Sequence, residues 1–190
     1  AVNMAKDTIE KAIKKASGEG GDGVRYEEVR YEGYGPSGVA VIIDVLTDNV
    51  NRTAPEMRKL FEKGNGKLSK PGAVAFGFTS KGVVLIESEK ATEEQLMDVA
   101  LDAGADDIEQ TDGGWELTCE PTQFLSLRQA LETAEIETIS AEITMVPSTT
   151  VACDVALGGK ILRLIDSFEE HDDVQNVYTN ADIPDEAMEE

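Results

Sequence analysis

Residues 25–53 carry the hydrophobic pattern of two strands followed by the start of a helix. Apolar and charged side chains interleave over residues 25–32, which is typical of a strand with one buried face. Residues 39–46 are almost wholly apolar and rich in β-branched side chains, which predicts a strand inside a sheet. The bend from Gly33 to Gly38 predicts a tight connection that makes the two strands antiparallel neighbours.

A polar turn then leads into an amphipathic helix. The spacing of Thr53, Pro55 and Glu56 predicts that Thr53 caps this helix, with the proline in its first turn and the glutamate completing a capping box. A third strand is predicted over residues 73–78. The helix residues expected to face the core are Met57, Leu60 and Phe61.

Residues 80–147 have the pattern of a separate compact domain. A strand, a helix capped by Thr92, a hairpin, a helix starting at Pro121 and a closing strand follow one another. This β-α-β-β-α-β order is that of a ferredoxin-like unit, whose two helices cover one face of the sheet. The predicted bounds are strands at 83–86, 107–110, 115–119 and 139–145, and helices at 92–103 and 121–134.

The last part of the chain predicts a buried helix over residues 153–170 and a strand over 174–178. The acidic tail at 181–190 is expected to fray. Within the helix, Gly158 and Gly159 each cost about 1 kcal/mol relative to alanine. We therefore expect both glycines to lie where close packing requires them.

The domain organisation follows from these elements. Residues 24–79 alone would leave one face of a sheet partly uncovered, so we interpret 24–79 and 148–180 as one central α/β domain. The ferredoxin-like segment 80–147 is then an insertion into that domain. A glycine-rich run precedes the central domain and follows an amphipathic helix over 6–16. We interpret residues 1–18 as the last helix of an N-terminal helical domain.

Charge is distributed unevenly along the chain, whose net charge is −21. Residues 1–70 carry 12 Lys/Arg and 11 Asp/Glu, whereas residues 71–190 carry 5 and 27. Binding to nucleic-acid phosphates needs Lys and Arg. Such contact is therefore expected in the first part of the chain or in a basic segment that precedes it. The alternative explanation for the many acidic residues at 71–190 is that their charge only keeps the protein soluble.

No catalytic or metal-binding constellation is recognisable in the sequence. The glycines from Gly33 to Gly38 have the spacing of a dinucleotide-binding loop, but they lead into a strand rather than a helix. The single histidine, His171, is expected to be a solvated residue at a helix end, and the acidic pairs 106–107 and 172–173 to be exposed. We therefore predict neither enzymatic activity nor a cofactor.

The cysteines and the absence of targeting signals predict the compartment. Cys119 and Cys153 lie in apolar patterns and are expected to be reduced core residues rather than a disulfide. No apolar run is long enough to cross a bilayer, and no signal peptide opens the chain. These features predict a cytoplasmic protein without a membrane partner.

The remaining candidate chemistry is a basic surface on the helix that follows Thr53. Lys and Arg recur on its polar face, and Tyr34 lies at the nearby bend. Basic side chains beside an exposed aromatic residue suit phosphate contact and base stacking. An ordinary solvated helix face, with Glu56 and Glu62 interleaved, is the alternative. The basic residues are Arg52, Arg58, Lys59, Lys63, Lys67 and Lys70.

Two long segments of the sequence resemble a known family. Residues 31–40, YEGYGPSGVA, and 48–53, DNVNRT, look like the signature of the YebC/PmpR family. The opening NMAKDTIEKAI at residues 3–13 is similar to that family's NMPKDTIERAI segment, with Ala5 where proline is common. The resemblance continues through the GAVAF and PST segments and covers essentially the whole chain.

The resemblance implies an α+β, YebC-like multidomain fold with an N-terminal helical domain, a central α/β domain and an inserted ferredoxin-like domain. It also implies a preceding lysine-rich segment like the family's GHSKWANIKHRK, which this sequence lacks. Family members are described as probable DNA-binding transcriptional regulators without known catalysis. Similar proteins, including mitochondrial relatives that activate translation of a cytochrome oxidase subunit, act at the ribosome.

The resemblance therefore predicts a DNA-binding transcriptional regulator. The alternatives are a ribosome-associated translation factor that binds ribosomal RNA and, on the acidic ferredoxin-like segment, a ligand-sensing module. The residues that match the family's motif are expected to form a functional loop, in which Arg52 contacts phosphate. The nucleic-acid-binding candidates are Tyr34, Asn49, Asn51, Arg52, Arg58, Lys59, Lys63 and Lys67.

Overall fold

The computed structural model of the chain describes residues 25–111 and 113–188. These residues divide into two compact units. Residues 79–146 form one, called the inserted unit below, and residues 25–78 with 147–188 form the other, called the split unit. The predicted N-terminal helix lies outside the described residues.

Both units combine antiparallel strands with helices, which confirms the mixed α+β class. The elements of the split unit are β1 (Glu27–Tyr34), β2 (Ala40–Thr47), α1 (Val50–Lys63), β3 (Lys67–Leu68), β8 (Val151–Ala152), α4 (Val155–Glu169), β9 (Val174–Thr179) and β10 (Ala181–Asp182). The remaining elements are β4 (Phe78–Ile86), α2 (Glu93–Ala100), β5 (Ala105–Thr111), β6 (Gly114–Cys119), α3 (Phe124–Thr133) and β7 (Ser140–Pro147).

The main sheet of the split unit has the strand order β3-β1-β2-β9. β1 and β2 pair antiparallel along their length, with Tyr31 opposite Ile43, as the sequence predicts. β9 pairs antiparallel with the other edge of β2, with Val177 opposite Ile43. Between β1 and β2 the chain makes a 3-10 turn at Pro36–Gly38. The glycines therefore connect two antiparallel strands, which is the geometry expected for this bend.

One face of this sheet packs against α1 and α4. Val41, Ile43 and Val45 of β2 point into a buried cluster, where each such side chain stabilises the fold by about 1.5–3 kcal/mol. The rings of Phe61 and Phe168 meet there with centroids 4.8 Å apart. The fully buried helix residues of the cluster are Met57, Phe61, Ile161, Leu164 and Phe168.

The start of α1 differs from the prediction that Thr53 caps it. The N-cap is Asn49, whose side-chain oxygen accepts a hydrogen bond from the Arg52 N–H at 3.1 Å. Thr53 lies inside the helix, buried, with its hydroxyl oxygen 3.1 Å from the Asn49 carbonyl oxygen. Pro55 therefore lies in the helix interior, where its missing N–H leaves the Asn51 carbonyl without a helical donor. Asparagine is as good a cap as threonine, so the sequence offered two adequate starts.

The strand predicted over residues 73–78 is wrong for most of its length. Residues 71–77 form turns and a short 3-10 helix, Ala75–Gly77, and β4 begins only at Phe78. The N–H groups of Gly72, Val74 and Ala75 all point at the carboxylate of Glu32, at 2.6, 2.8 and 2.8 Å. Backbone donors that converge on one side chain cannot also form a strand ladder.

The inserted unit has the strand order β5-β6-β4-β7. β6 pairs antiparallel with both β4 and β5, so the predicted hairpin is confirmed. Thr92 forms the predicted cap of α2, as a full capping box with Gln95. α2 ends at Ala100 and α3 begins only at Phe124, so both helices are shorter than predicted. The core residues include Val84, Ile86, Leu96, Trp115, Leu117, Leu127 and Leu131.

Both cysteines are free thiols in the structure. Cys119 is buried in the core of the inserted unit, as predicted, and Cys153 is half-buried against the core of the split unit. Burial raises the pKa of both thiols, which keeps them in the unreactive protonated form.

The acidic tail is more ordered than predicted. β10 pairs parallel with β8, with Ala181 opposite Val151. The residues Asp185–Ala187 then form a 3-10 helix whose Ala187 is buried. The described part of the tail is thus held by backbone hydrogen bonds and by packing against α4.

Two adjacent glycines of α4 are expected to respond oppositely to alanine. A Cβ atom on Gly158 would lie 2.9 Å from the Ala187 Cβ and 3.0 Å from the Ile183 Cγ2, so the tail must shift. At Gly159 the nearest atom is Arg163 Nη2 at 3.9 Å, which leaves room. We expect Gly158→Ala to lower the free energy of unfolding by about 1–3 kcal/mol. Gly159→Ala is expected to raise it by up to about 1 kcal/mol.

Urea unfolding of the two variants, followed by circular dichroism, measures this difference. Each variant is the control for the other, because both make the same chemical change at neighbouring helix positions. Equal effects would contradict the packing argument. The close packing predicted for both glycines thus applies to Gly158 alone.

Candidate nucleic-acid interface

The polar face of α1 presents the predicted basic residues to solvent. Arg58, Lys59 and Lys63 are exposed, whereas Met57 and Phe61 on the opposite face are buried. The 3.6-residue helical period separates the two sets, which share one continuous stretch of sequence. Because the apolar face of α1 is buried, the basic side chains on its opposite face point into solvent.

A groove of about 500 Å³ lies between the end of α1 and the side of α4. Lys63 comes from the last turn of α1, and Lys160 and Arg163 come from α4. None of these three cations forms an ion pair with another described residue. The other lining residues are Gly64, Asn65, Leu164, Asp166, Ser167 and Glu170.

This groove has the charge that an anion requires. Its three cations outnumber the two carboxylates of Asp166 and Glu170, in a chain whose net charge is −21. Unpaired Lys and Arg side chains can exchange their water for phosphate oxygens without first breaking an ion pair. We call Arg58, Lys59, Lys63, Lys160 and Arg163 the basic face.

Side chains of the polar turn between β2 and α1 form hydrogen bonds within the split unit. Nη2 of Arg52 donates to Asp48 at 2.9 Å and to Asp173 at 2.8 Å. Asp173 also accepts from the hydroxyls of Thr47 and Thr53 at 3.0 and 2.9 Å. Arg52 is still half exposed, so its guanidinium joins this network at the protein surface. We call Arg52, Thr47, Thr53 and Asp173 the Asp173 network.

The buried position of Asp173 corrects the expectation that residues 172–173 are an exposed acidic pair. Asp173 is only 5% exposed. Burial alone would raise the pKa of its carboxyl group, but the hydrogen bonds from Arg52, Thr53 and Thr47 hold the pKa below its ordinary value. Asp173 is therefore a buried carboxylate that ties the start of β9 to the start of α1.

His171 also differs from the prediction, because both nitrogens of its ring form hydrogen bonds. Its Nδ1 accepts a hydrogen bond from the Asp173 N–H at 3.1 Å, so the ring proton of the neutral form lies on Nε2. Nε2 then donates to the Glu56 carboxylate at 3.0 Å. The histidine thus links the end of α4 to α1 instead of lying free in solvent.

The other predicted loop residues occupy different surroundings. Tyr34 is 39% exposed, and its hydroxyl donates to the Ala73 carbonyl at 3.1 Å. Lys67 is exposed on β3, directly opposite Tyr34 in the sheet. Asn51 is exposed on the first turn of α1, next to the Asn49 cap. The structure brings Tyr34 and Lys67 together, and it separately gathers Arg52 and Asn49 into the polar turn.

Sequence reasoning missed two residues of the basic face. Lys160 and Arg163 stand three positions apart on α4, so they share one helix face, and they are two of only five basic residues after position 70. That spacing was available as a signal. Because residues 71–190 are predominantly acidic, these two cations do not stand out in the sequence.

Comparison with known proteins agrees with this fold. The model of the TACO1/YebC second and third domain matches residues 26–181, which is most of the chain. A relative from Syntrophobacter fumaroxidans is 48% identical over 189 residues, covering 99% of this chain and 76% of its own length. The chain belongs to the TACO1/YebC family.

Other TACO1/YebC comparisons point the same way. A Treponema denticola relative is 50% identical over 184 residues, covering 97% of this chain and 74% of its own length. Both relatives bear the name probable transcriptional regulatory protein. The crystal structure of a conserved hypothetical protein from Aquifex aeolicus superposes with a TM-score of 0.76 at 38% identity, covering 96% of this chain and 75% of that one.

Two features are absent from the residues that the structure describes. No group of three or more His, Cys, Asp or Glu side chains among them is arranged to hold a metal ion. No described helix is long and apolar enough to span a membrane.

Proposed function

We propose that this chain is a non-enzymatic, cytoplasmic transcriptional regulator that binds DNA through its basic face. The proposal rests on the groove between α1 and α4, where Lys63, Lys160 and Arg163 form no ion pair with another described residue. The names of the TACO1/YebC relatives support the regulatory role. Phosphate contacts supply most of the affinity of such proteins.

The proposal includes the domain architecture of the family. The order of elements from β4 to β7 and the strand order β5-β6-β4-β7 support a ferredoxin-like inserted domain. The remaining described elements support a central α/β domain whose two parts flank the insertion. In this arrangement the basic face belongs to the central domain, and the surplus of negative charge lies mostly elsewhere.

The basic face favours contact with the phosphate backbone over reading of base edges. Base reading needs side chains that form paired hydrogen bonds in a groove of the duplex, as Arg, Asn or Gln do. Three of the five residues of the basic face are lysines, which contact phosphate as point charges. We therefore expect affinity that depends strongly on salt and weakly on sequence.

Lys63→Glu and Lys160→Glu are each expected to weaken binding to a duplex by roughly tenfold at low salt, because each reverses a charge at the groove. Each variant should also reduce the slope of log affinity against log salt by about 1. Fluorescence anisotropy with labelled duplex DNA across a salt series measures both quantities. The same titration with ribosomal RNA tests the alternative of a translation factor.

Arg128→Glu is the matched control for this experiment. Arg128 is an exposed cation on α3, so the variant reverses a charge in the inserted unit and not in the split unit that carries the basic face. Equal losses for Arg128→Glu and Lys63→Glu would show that net charge alone matters. Absence of binding to DNA and RNA at low salt would refute the proposed function. Arg52→Glu is a poor probe, because it would place a second carboxylate against Asp173.

A further inference from the structure

Phe76 is the most exposed large apolar residue among the described ones. Its side chain is 85% exposed, in the short 3-10 helix that precedes β4. The other large apolar residues of this segment, Val74 and Phe78, are buried. Phe76 is thus a single ring that projects into water, rather than part of an apolar patch.

The loop that carries this ring is held on both sides. Glu32 accepts the three N–H groups of Gly72, Val74 and Ala75, and Tyr34 donates to the Ala73 carbonyl. At the far end, Ser148 donates to the Gly77 carbonyl from its N–H and its hydroxyl, at 2.8 and 2.9 Å. An exposed ring on a fixed backbone loses little conformational freedom when it binds a partner.

The chain that leads into this loop carries two exposed lysines. Lys67 and Lys70 are exposed on the chain that enters the loop, and the Lys70 carbonyl accepts the Ala73 N–H at 3.1 Å. Lys67 also lies opposite Tyr34, which is a second, partly exposed aromatic residue. Neither lysine forms an ion pair with another described residue.

We propose that Phe76 is a stacking platform for an unpaired base, with Lys67 and Lys70 contacting the phosphates on either side of it. This inference rests on the proposed function and adds to it a second site, for nucleic acid with single-stranded character. A base can offer its flat face to a ring only where it is not stacked within a duplex. Stacking of this kind tolerates any base, since every base has a π-face.

A protein partner fits this site less well. Energetically important aromatic residues at protein interfaces lie in well-packed regions surrounded by contacts that exclude water. The apolar residues nearest to Phe76 along the chain, Val74 and Phe78, are buried, and the chain that leads into the loop carries the exposed Lys67 and Lys70. An exposed aromatic ring together with exposed lysines is the combination that single-stranded nucleic-acid sites use.

Binding of an oligothymidylate that contains one 2-aminopurine tests the proposal. Stacking on Phe76 quenches the 2-aminopurine emission, which reports the contact directly. Phe76→Ala is expected to abolish the quenching and to weaken single-strand binding by about 5- to 150-fold. Phe76→Trp should restore both, and Phe76→Ala should leave the affinity for duplex DNA unchanged.

Leu125→Ala is the matched control, because Leu125 is a large apolar residue that is 70% exposed on α3 of the inserted unit. It should change neither measurement. The thermal midpoint of Phe76→Ala should equal that of the wild type, because the ring is already in water. Full quenching and full single-strand affinity in Phe76→Ala would overturn the inference, as would an equal loss in Leu125→Ala.

The failures of the two proposals can be told apart. If Phe76→Ala binds single strands normally while Lys63→Glu loses duplex binding, the stacking site is wrong and the proposed function stands. If the wild type binds neither form of nucleic acid at low salt, both are wrong. Unchanged single-strand binding in Phe76→Ala would instead favour a protein contact for the exposed ring.

Discussion

Asp173→Ala is expected to lower the free energy of unfolding by about 3 kcal/mol. The change removes a buried carboxylate that accepts hydrogen bonds from Arg52, Thr47 and Thr53. Hydrogen bonds to a charged group contribute about 1.5–3 kcal/mol each. Two effects keep the total below their sum: the half-exposed Arg52 returns to water, and the two threonine hydroxyls still contact each other at 2.8 Å. Urea unfolding at neutral pH measures the loss.

Asp166→Ala is the control, because Asp166 is an exposed aspartate on α4 of the same unit. It should change stability by less than about 0.5 kcal/mol. Asp173→Asn should fall between the two, since the amide oxygen keeps part of the acceptor role. A loss of under about 1 kcal/mol for Asp173→Ala would mean that water replaces the Asp173 network without cost.

Glu32→Gln is expected to destabilise the split unit by about 3 kcal/mol at neutral pH. Glu32 is 4% exposed, and three backbone N–H groups point at its carboxylate. An amide places its own N–H₂ group where only acceptors fit. Burial alone would raise the pKa of Glu32, but the three N–H donors and Arg30 together hold it below the ordinary value.

The sign of the pH dependence follows from that lowered pKa. The stabilisation by Glu32 is complete above the pKa of the unfolded chain, about 4.3 for glutamate. It is lost as the pH falls through the lower pKa of the folded protein. Urea midpoints of wild type and Glu32→Gln should therefore differ most at pH 7 and converge in strong acid.

Glu28→Gln is the matched control on the same strand, where Glu28 is exposed. It should leave the urea midpoint nearly unchanged at every pH. A constant difference between Glu32→Gln and wild type down to low pH would contradict the charge-based explanation. It would indicate that the shape of the side chain, rather than its charge, holds the loop.

The elements that the sequence predicts well are those whose pattern is local. The pairing of β1 with β2 follows from two adjacent apolar runs and the bend between them. The Thr92 cap of α2 follows from a threonine and a glutamine three residues apart. The buried face of α1, with Met57 and Phe61, follows from helical spacing. In each case the partners lie within a few residues of each other.

The predictions that fail depend on distant partners. The sequence of the loop before β4 has the pattern of a strand. In the structure its backbone N–H groups instead bind Glu32, which lies 40 or more positions earlier in the chain. In the sequence, Asp173 looks like a solvent-exposed aspartate. In the structure it accepts hydrogen bonds from Thr53 and Arg52, which lie about 120 positions earlier in the chain. A buried carboxylate carries no local signature, because its burial is decided by the groups that the fold brings to it.

The candidate site divides in the same way. The exposure of Arg58, Lys59 and Lys63 follows from the pattern of α1, whereas Lys160 and Arg163 join them only because α4 packs beside α1. The Phe76 ring is the clearest case. Its segment, GAVAFGF, is apolar throughout, and only the fold distinguishes the one side chain that stays in water.

The position of β9 beside β2 also sets an order for synthesis. β2 lies near the start of the described chain and β9 near its end, with the whole inserted unit between them. The inserted unit has all of its strands once residue 147 leaves the ribosome, whereas β2 must wait about thirty residues more for its second neighbour. During that interval the growing chain carries a finished insert and an apolar central strand with one open edge. That edge is where a chaperone, or a second nascent copy, would first find a template for pairing.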